Sequence, residues 1–121
     1  MKLHLEQSAY QNLITGYGAG YVAVNGQRYE RNLIVTPSEI VNDWPAKTDV
    51  DEVALNLVLN LAPQIVLIGT GKSIRFPSAE VLRGLIAARM GYEIMDTSAA
   101  CRTYNVLVSE GRSVAAALII A

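Results

Sequence analysis

From residue 64 onwards, apolar runs typical of strands alternate with capped segments typical of helices. Residues 65–68 are four consecutive apolar residues, as in a strand that is covered on both faces. The elements predicted after them are a helix capped by Ser78, a strand at 92–95, a helix capped by Asp96 or Thr97 that runs to about Glu110, and a strand at 113–120. Strands connected in this way by helices form a parallel sheet in nearly all known cases. The order therefore predicts that the three strands, at 65–69, 92–95 and 113–120, share one sheet.

The first half of the chain carries turn and strand signals instead. Asn25 and Gly26 suit the two central positions of a type I′ hairpin turn, which need positive φ angles. Strands are predicted on both sides of this turn, and residues 33–35 are predicted to extend the second one. Short strands are also predicted at 3–6 and within 38–46.

A further helix is predicted between the two halves. Thr48 or Asp49 is placed as its N-cap, and the helix is predicted to begin near Val50 and to end at Leu61, before a proline. In the next helix, apolar residues at helical spacing predict an inward stripe, and Gly91 is predicted to close the helix. The stripe and its rim comprise Val81, Leu82, Leu85, Ile86 and Arg89.

Together these elements predict an α/β fold in a single compact domain that spans residues 1–121. The N-terminal part is an antiparallel β meander, and the C-terminal part is a β-α-β-α-β unit with parallel strands. A chain of 121 residues fits one domain, and it buries roughly two-thirds of the surface that its unfolded form exposes. Such a core is expected to fold without disulfide or metal staples.

Charge and hydropathy exclude several function classes. The net charge of −1 gives no general basic field for nucleic acid. No apolar span of about 18 residues, no secretory leader and no Arg- and Ser-rich presequence is visible, so neither membrane insertion nor targeting is predicted. One cysteine can form no intrachain disulfide, which fits a reducing compartment. A cytoplasmic location is therefore expected.

The motif Gly71-Lys72-Ser73 resembles the second half of a phosphate-binding loop. The first glycine of that loop should stand at position 66, where this chain has Val66. Pro77 separates the motif from the next helix, whose N-terminal amides would have to face the phosphates. The dinucleotide fingerprint fails as well, because its third glycine falls on Ile74. No nucleotide and no other cofactor is therefore predicted.

Side chains for covalent or metal catalysis are scarce. His4 is the one histidine, and it is predicted to lie on the surface of a strand. Cys101 stands near a helix N-terminus beside Arg102, and both features lower a thiol pKa. It also shares an apolar helical stripe with Tyr104 and Val108, so a packed, structural thiol is the favoured interpretation. Neither a metal cluster nor a carboxylate pair is evident, so no catalytic residue and no metal site is predicted.

The carboxyl edge of the predicted parallel sheet is a candidate site. In an open parallel sheet, ligands sit beyond the carboxyl ends of the strands, and two such ends here lead into polar loops on one edge. Three cations would bring positive charge there beside a helix N-terminus, which suits a small anion or an acidic partner. Ordinary solvated charge, and for the glycines a turn with permissive backbone angles, are the competing interpretations. The candidate contact residues are Gly69, Thr70, Gly71, Lys72, Arg75, Asp96, Thr97 and Arg102.

Three stretches carry a family resemblance: "VNDWP", "VLIGTG" and "DTSAACRTYNVLVSEGRSVAAALI". They resemble the small family that includes the mitochondrial complex I assembly factor 3 and uncharacterised bacterial and archaeal proteins of about this length. The resemblance covers nearly the whole chain and is most specific from Gly69 to Ile119. It implies a compact α/β domain with an N-terminal β portion. It also implies no established enzymatic activity and, for mitochondrial members, a role through protein contacts in assembly of the respiratory NADH dehydrogenase.

The sequence therefore predicts a non-catalytic assembly or interaction protein with an unidentified protein partner. Because no mitochondrial presequence is visible, a bacterial protein is expected. The alternative is a small-ligand or anion-binding protein, or an enzyme, that uses the loop edge 69–75 and 96–102. A deep pocket with convergent polar groups would favour this alternative, whereas a broad exposed apolar patch would favour a protein partner.

Overall fold

The computed structural model describes residues 11–47 and 49–120. The strands are β1 (Ile14–Gly18), β2 (Tyr21–Val24), β3 (Gln27–Tyr29), β4 (Leu33–Val35), β5 (Ile40–Val41), β6 (Ile65–Gly69), β7 (Gly91–Met95) and β8 (Val114–Leu118). The helices are α1 (Glu52–Leu59), α2 (Ala79–Ala87) and α3 (Thr97–Ser109). The architecture is the predicted single α/β domain, and β5 is the short strand predicted within 38–46. The strand predicted at 3–6, with His4, lies outside the described residues.

The three predicted parallel strands share one sheet, as expected. β6 lies between β8 and β7 and is parallel to both, with Leu67 opposite Ala116 on one side and Glu93 on the other. β4 and β5 add antiparallel strands, which gives the order β5-β4-β8-β6-β7. The central strand β8 is buried along its whole length, because packed layers cover both of its faces.

Each face of this mixed sheet carries its own hydrophobic core. α1 and α2 cover one face, where Leu55 and Leu85 belong to the same buried cluster as Ile68. α3 and the separate sheet β1-β2-β3 cover the other face, where Tyr104 belongs to the same buried cluster as Leu67. The strand-end loops of the mixed sheet therefore lie between a helical layer and a β layer.

The hairpin is confirmed at its turn, since Asn25 and Gly26 have φ angles of 53° and 83°. The extension of its second strand is wrong: residues 33–35 form β4, which pairs antiparallel with β8 in the mixed sheet. Asn32 helps to hold the chain there, because its side-chain oxygen accepts a hydrogen bond from the Ile120 amide at 2.7 Å. All three β4 side chains are buried, which requires a sheet covered on both faces.

The first helix is shorter than predicted by two residues at each end. Its N-cap is Asp51, whose carboxylate accepts a hydrogen bond from the Ala54 amide at 2.8 Å. The predicted cap Asp49 instead pairs with a cation of the loop after β6. Thr48, the other predicted cap, lies outside the described residues. A carboxylate three residues before a free helix amide was the better capping signal.

The end of the second helix also differs from the prediction. α2 ends at Ala87, and Arg89 closes it in the left-handed conformation with a φ of 57°. Gly91 does not close this helix but opens β7. Within the predicted inward stripe, Val81 is buried whereas Ile86 is exposed, because Ile86 lies on the outer side of the last turn.

Candidate functional site

The loop after β6 meets the N-terminus of α3 at the carboxyl end of the sheet, as the parallel order predicts. The Thr70 amide donates a hydrogen bond to the carbonyl of the last β7 residue at 2.9 Å. The Thr97 amide donates to the Gly71 carbonyl at 3.0 Å. These bonds fasten the loop to the start of the helix, and we call the two joined segments, 69–71 and 96–97, the strand-end junction.

Thr97 lies at the centre of the strand-end junction. Its hydroxyl accepts a hydrogen bond from the Gly71 amide at 2.8 Å and donates one to the Ile119 carbonyl at 2.6 Å. The side chain is only 9% exposed. Since one hydroxyl joins three segments of the chain, its hydrogen-bonding capacity serves the fold.

The Thr70 hydroxyl is used in the same way. It donates to the Ser73 carbonyl at 2.7 Å and accepts from the Arg75 amide at 3.0 Å, which folds the loop back on itself. Gly71 has a φ of 94°, the permissive backbone angle that the turn interpretation requires, whereas Gly69 has no positive φ, so the interpretation is wrong for Gly69. The polar groups of the loop base therefore bond to their own chain.

Gly69 lies where another chain segment approaches closely. A Cβ at this position would stand 3.0 Å from the Thr97 Cα and 3.0 Å from the Leu118 Cδ2. Contacts of that length to backbone are rare for real Cβ atoms, so a side chain here would push β6 away from α3. Glycine is required by packing at this position.

The N-terminus of α3 is already occupied by a carboxylate of the chain. Asp96 accepts a hydrogen bond from the Ala99 amide at 2.9 Å, and this negative charge opposes a second anion at the same helix end. The motif Gly71-Lys72-Ser73 does not lead into a helix, since α2 begins only at Ala79. Both observations support the absence of nucleotide binding, which stays a prediction.

Two of the three cations of the predicted site, Arg75 and Arg102, do not converge. Arg75 pairs with Asp49 at 3.1 Å, towards the sheet face that α1 and α2 cover. Arg102 donates to the Tyr17 hydroxyl at 3.0 Å, towards the face that β1-β2-β3 covers. That hydrogen bond raises the pKa of the Arg102 guanidinium. The predicted residues thus form a junction with Arg75 on one side of the sheet and Arg102 on the other.

A cleft of about 340 Å³ separates the strand-end junction from the hairpin of β1 and β2. Lys72, Thr97 and Ser98 line it from the junction, and Tyr17 and Tyr21 line it from the hairpin. Sequence reasoning missed the tyrosines, because the hairpin is remote in the chain: the hydrogen bond between Tyr17 and α3 spans 85 residues. No local pattern signals a contact of that span.

Cys101 is fully buried, which confirms the prediction of a packed thiol. Burial raises the pKa of this thiol to about 12, and it outweighs the opposing effect of Arg102. Tyr104, three residues after Cys101 on α3, is also buried. Its hydroxyl donates a hydrogen bond to the Asn12 carbonyl at 2.7 Å. The thiol is therefore protonated, and unreactive as a nucleophile, at neutral pH.

Large apolar side chains are exposed on the side of α1 and α2. Sequence reasoning predicted one of them, Ile86, to face inward and did not identify the others as an exposed surface. Phe76 is 69% exposed, Val53 67% and Ile86 61%. Val53 and Leu57 lie one turn apart on the same face of α1. We call the exposed residues of this side the outer apolar surface; they are Val53, Leu57, Phe76 and Ile86.

Three further observations concern residues 11–47 and 49–120 alone. No helix among them has the length and apolar character needed to cross a membrane. No group of three His, Cys, Asp or Glu side chains among them is placed to hold a metal ion. Each of their buried side-chain polar atoms has a hydrogen-bond partner, so none of these atoms is left unsatisfied for a ligand to bond.

Residues 14–119 match the family described as protein of unknown function, DUF498/DUF598, and the chain belongs to this family. A Bos taurus relative named NADH dehydrogenase (ubiquinone) 1 alpha subcomplex assembly factor 3 is 34% identical over 110 residues. A Francisella tularensis relative named 13 kDa major membrane protein is 30% identical over 106 residues, which cover 85% of this chain and 86% of that protein. The crystal structure of a Bordetella parapertussis protein matches with a TM-score of 0.85 at 38% identity, over 92% of this chain and 97% of that one.

These similarities confirm the resemblance to the family that includes complex I assembly factor 3. The alignment with the bovine relative covers 88% of this chain but only 59% of the bovine protein. The shared part is thus the α/β domain described above, and the bovine protein has additional chain outside it.

Proposed function

We propose that this member of the DUF498/DUF598 family is a non-catalytic assembly factor that acts by binding a protein partner. More specifically, we propose the role that the names of the vertebrate relatives state, which is assembly of an NADH dehydrogenase. The site of action in this proposal is the cytoplasm, where the partner would be a subunit or subassembly before its incorporation.

The outer apolar surface is the observation that carries the proposal. Phe76 is 69% exposed. Its removal from water by a partner would make binding more favourable by roughly 25 cal/mol per Å² of apolar area buried. Aromatic side chains in the centre of a contact commonly dominate binding energy. Val53 and Ile86 add exposed apolar area on the two helices of the same side.

The predicted contact residues take two roles in this proposal. Arg75 stands on the exposed loop beside Phe76, and we assign it to the polar rim of the contact. Lys72 lines the cleft beside Tyr17 and is not part of this surface. Arg102 lies towards the opposite sheet face and is not part of this surface. The remaining residues give the loop its shape; they are Gly69, Thr70, Gly71, Asp96 and Thr97.

Fewer observations support a small-ligand site or an enzyme at the carboxyl edge of the sheet. The threonine hydroxyls of the strand-end junction bond to their own chain, and the Tyr17 hydroxyl in the cleft accepts a hydrogen bond from Arg102. Catalytic sites instead present polar groups that converge on a reacting atom. The protein-partner role is therefore the better proposal.

Site-specific photo-crosslinking in the cell that produces the chain tests this proposal. A photoreactive amino acid replaces Phe76 in one variant and Val106, which is 55% exposed on α3, in a matched control. We expect one protein to be captured from position 76 and not from position 106. Equal capture from both positions, or none from position 76, would contradict the partner role.

The specific form of the proposal needs a second readout. Cells that lack the chain should accumulate partly assembled NADH dehydrogenase on native gels. Wild-type chain and Val106→Asp should restore assembly, whereas Phe76→Asp should not. Normal assembly without the chain would contradict the role in this complex and leave the partner role to be judged by the crosslinks.

A further inference from the structure

The outer edge of β7 presents backbone groups that have no partner in residues 11–47 and 49–120. Among the strands that the structure describes, β7 is the last of the mixed sheet and pairs only with β6. The Gly91 amide bonds to the Gln64 carbonyl, and the Met95 carbonyl accepts from Thr70, so the odd-numbered residues of β7 face β6. In a parallel ladder the alternate residues then turn their N–H and C=O groups outward. These residues are Tyr92 and Ile94.

The other edges of the two sheets are short or blocked. β5 has two residues. On β1, the Asn105 side chain accepts from the Ile14 amide at 2.9 Å and donates to its carbonyl at 2.7 Å, and the register shifts before Gly16. β3 has three residues, with Arg28 and Glu30 paired beside it at 3.6 Å. Short strands, bulges and charges are the devices that prevent edge pairing.

β7 has five residues and pairs with β6 in unbroken register, so it lacks the first two of these devices. Tyr92 and Ile94 pack against the core under α1 and α2, which keeps the strand in place. Glu93 points to the opposite face and is exposed, as the one charged side chain of the strand. The edge is thus a regular hydrogen-bonding template with a single carboxylate at its centre.

We infer that this edge binds an extended segment of a partner protein that carries Lys or Arg opposite Glu93. Antiparallel addition satisfies the outward groups of Tyr92 and Ile94 with four backbone hydrogen bonds. Glu93 then occupies a non-hydrogen-bonded pair, where facing side chains lie closest, so an opposite charge there selects the segment. This inference rests on the proposed partner role and adds the mode of recognition.

A second copy of the chain fits this edge poorly. The symmetric antiparallel register that uses all four outward groups pairs Tyr92 with Ile94 of the other copy. The same register places the two Glu93 carboxylates directly opposite each other, and like charges in that position are destabilising. Moving the register to avoid this contact leaves outward groups unpaired. Charge complementarity therefore favours a basic segment over self-association.

Peptide titrations followed by amide NMR shifts test the inference. The probe is the capped pentapeptide Thr-Val-Lys-Val-Thr, whose valines would pair with Tyr92 and Ile94 while its lysine faces Glu93. The matched probe carries Glu in place of Lys. We expect the Tyr92 and Ile94 amides to shift at millimolar peptide, with the Lys probe binding about tenfold more tightly than the Glu probe.

Two variants assign the binding to this edge. Ile94→Pro removes one outward N–H and should abolish binding, whereas Ile94→Val keeps the N–H and should bind like wild type. Glu93→Lys should reverse the preference and bind the Glu probe more tightly. Thermal unfolding and the amide spectrum of each variant establish that it is folded before titration.

Several results would overturn the inference. These are unshifted Tyr92 and Ile94 amides at millimolar probe, equal affinity for both probes, or binding that survives in folded Ile94→Pro. Binding that appears only after removal of residues 1–10 would assign the edge to the chain's own N-terminal segment. Concentration-dependent dimerisation that Ile94→Pro abolishes would assign it to a second copy. The crosslinks at position 76 do not depend on these outcomes, so the partner role is judged separately.

Discussion

The base and the tip of the loop between β6 and α2 differ in burial and in hydrogen bonding. At the base, Gly69, Thr70 and Gly71 are buried and bond to α3 and to the chain after β8. At the tip, Ile74 and Phe76 are exposed, although both are large and apolar. The base carries the glycines and hydroxyls that resemble a ligand loop, and the tip carries the surface that suits a partner.

A polar motif at a strand end can be a binding site only if its polar groups are free. Removing one partner of a buried hydrogen bond costs about 1–3 kcal/mol, so bonds within the chain hold these groups away from ligands. An exposed aromatic side chain makes no comparable stabilising contact within the fold. We therefore expect substitutions at the base to change stability and substitutions at the tip to change binding.

The largest effect is expected at Thr97. Thr97→Val keeps the side-chain volume but leaves the Gly71 amide and the Ile119 carbonyl without their partner, so the free energy of unfolding should fall by about 3 kcal/mol. Thr97→Ser keeps the hydroxyl and should lose about 1 kcal/mol. Urea unfolding of both variants measures the difference. Equal losses would show that packing rather than hydrogen bonding sets the cost at the base.

Gly69→Ala should lower the free energy of unfolding by about 2 kcal/mol, because the new Cβ would stand 3.0 Å from the Thr97 backbone. Gly16→Ala on β1 is the matched control, since its Cβ would meet the Ala23 Cβ at an ordinary 3.7 Å. That variant should stay within about 0.5 kcal/mol of wild type in the same unfolding experiment. A small effect at Gly69 would mean that β6 and α3 can separate without cost.

Cys101 lies one turn after Thr97 and extends the buried region along α3. Cys101→Ala should cost about 1 kcal/mol at neutral pH. Because burial raises the folded-state pKa from 9.0 to about 12, the thiol's contribution is present below about pH 9 and is lost as the pH rises towards 12. The stability difference between wild type and Cys101→Ala should therefore shrink above about pH 9.

Thiol alkylation provides an independent measurement of this burial. Native protein should be strongly protected between about pH 5 and about pH 9, relative to unfolded protein. Fast labelling with a midpoint well below about 8.5 would indicate a reactive thiolate, and it would move an enzymatic role ahead of the partner role.

The smallest effect on stability is expected at the tip. Phe76→Ala should change the free energy of unfolding by less than about 0.5 kcal/mol, because the side chain is 69% exposed. The same variant should weaken capture of the crosslinked partner, which is measured by binding of the purified partner once it is identified. A large loss of stability at Phe76 would remove the distinction between base and tip.

Several parts of the fold follow from short stretches of sequence. The helix caps Ser78 and Asp96 stand three residues before the amides that they bind. Asn25 and Gly26 both adopt the positive φ angles that their turn requires. The strand pairing of 33–35 does not follow in this way, because those residues are equally apolar whether they extend a hairpin or join β8.

The candidate site was predictable in its position but not in its chemistry. Strand order alone places the loop after β6 beside the start of α3. Whether Thr97 offers its hydroxyl to a ligand or to Ile119 depends on a chain segment 22 residues away. Likewise, Arg75 and Arg102 diverge because their partners, Asp49 and Tyr17, come from different layers.

The sequence by itself determined the order of elements, the parallel core and the burial of Cys101, since each depends on periodicity or caps within a few residues. Tertiary structure alone decided which sheet 33–35 joins, which apolar residues stay in water and which polar groups are already bonded. The physical reason is that a buried hydrogen bond or an exposed face is set by what packs against it. Those neighbours are distant in the chain and leave no local pattern.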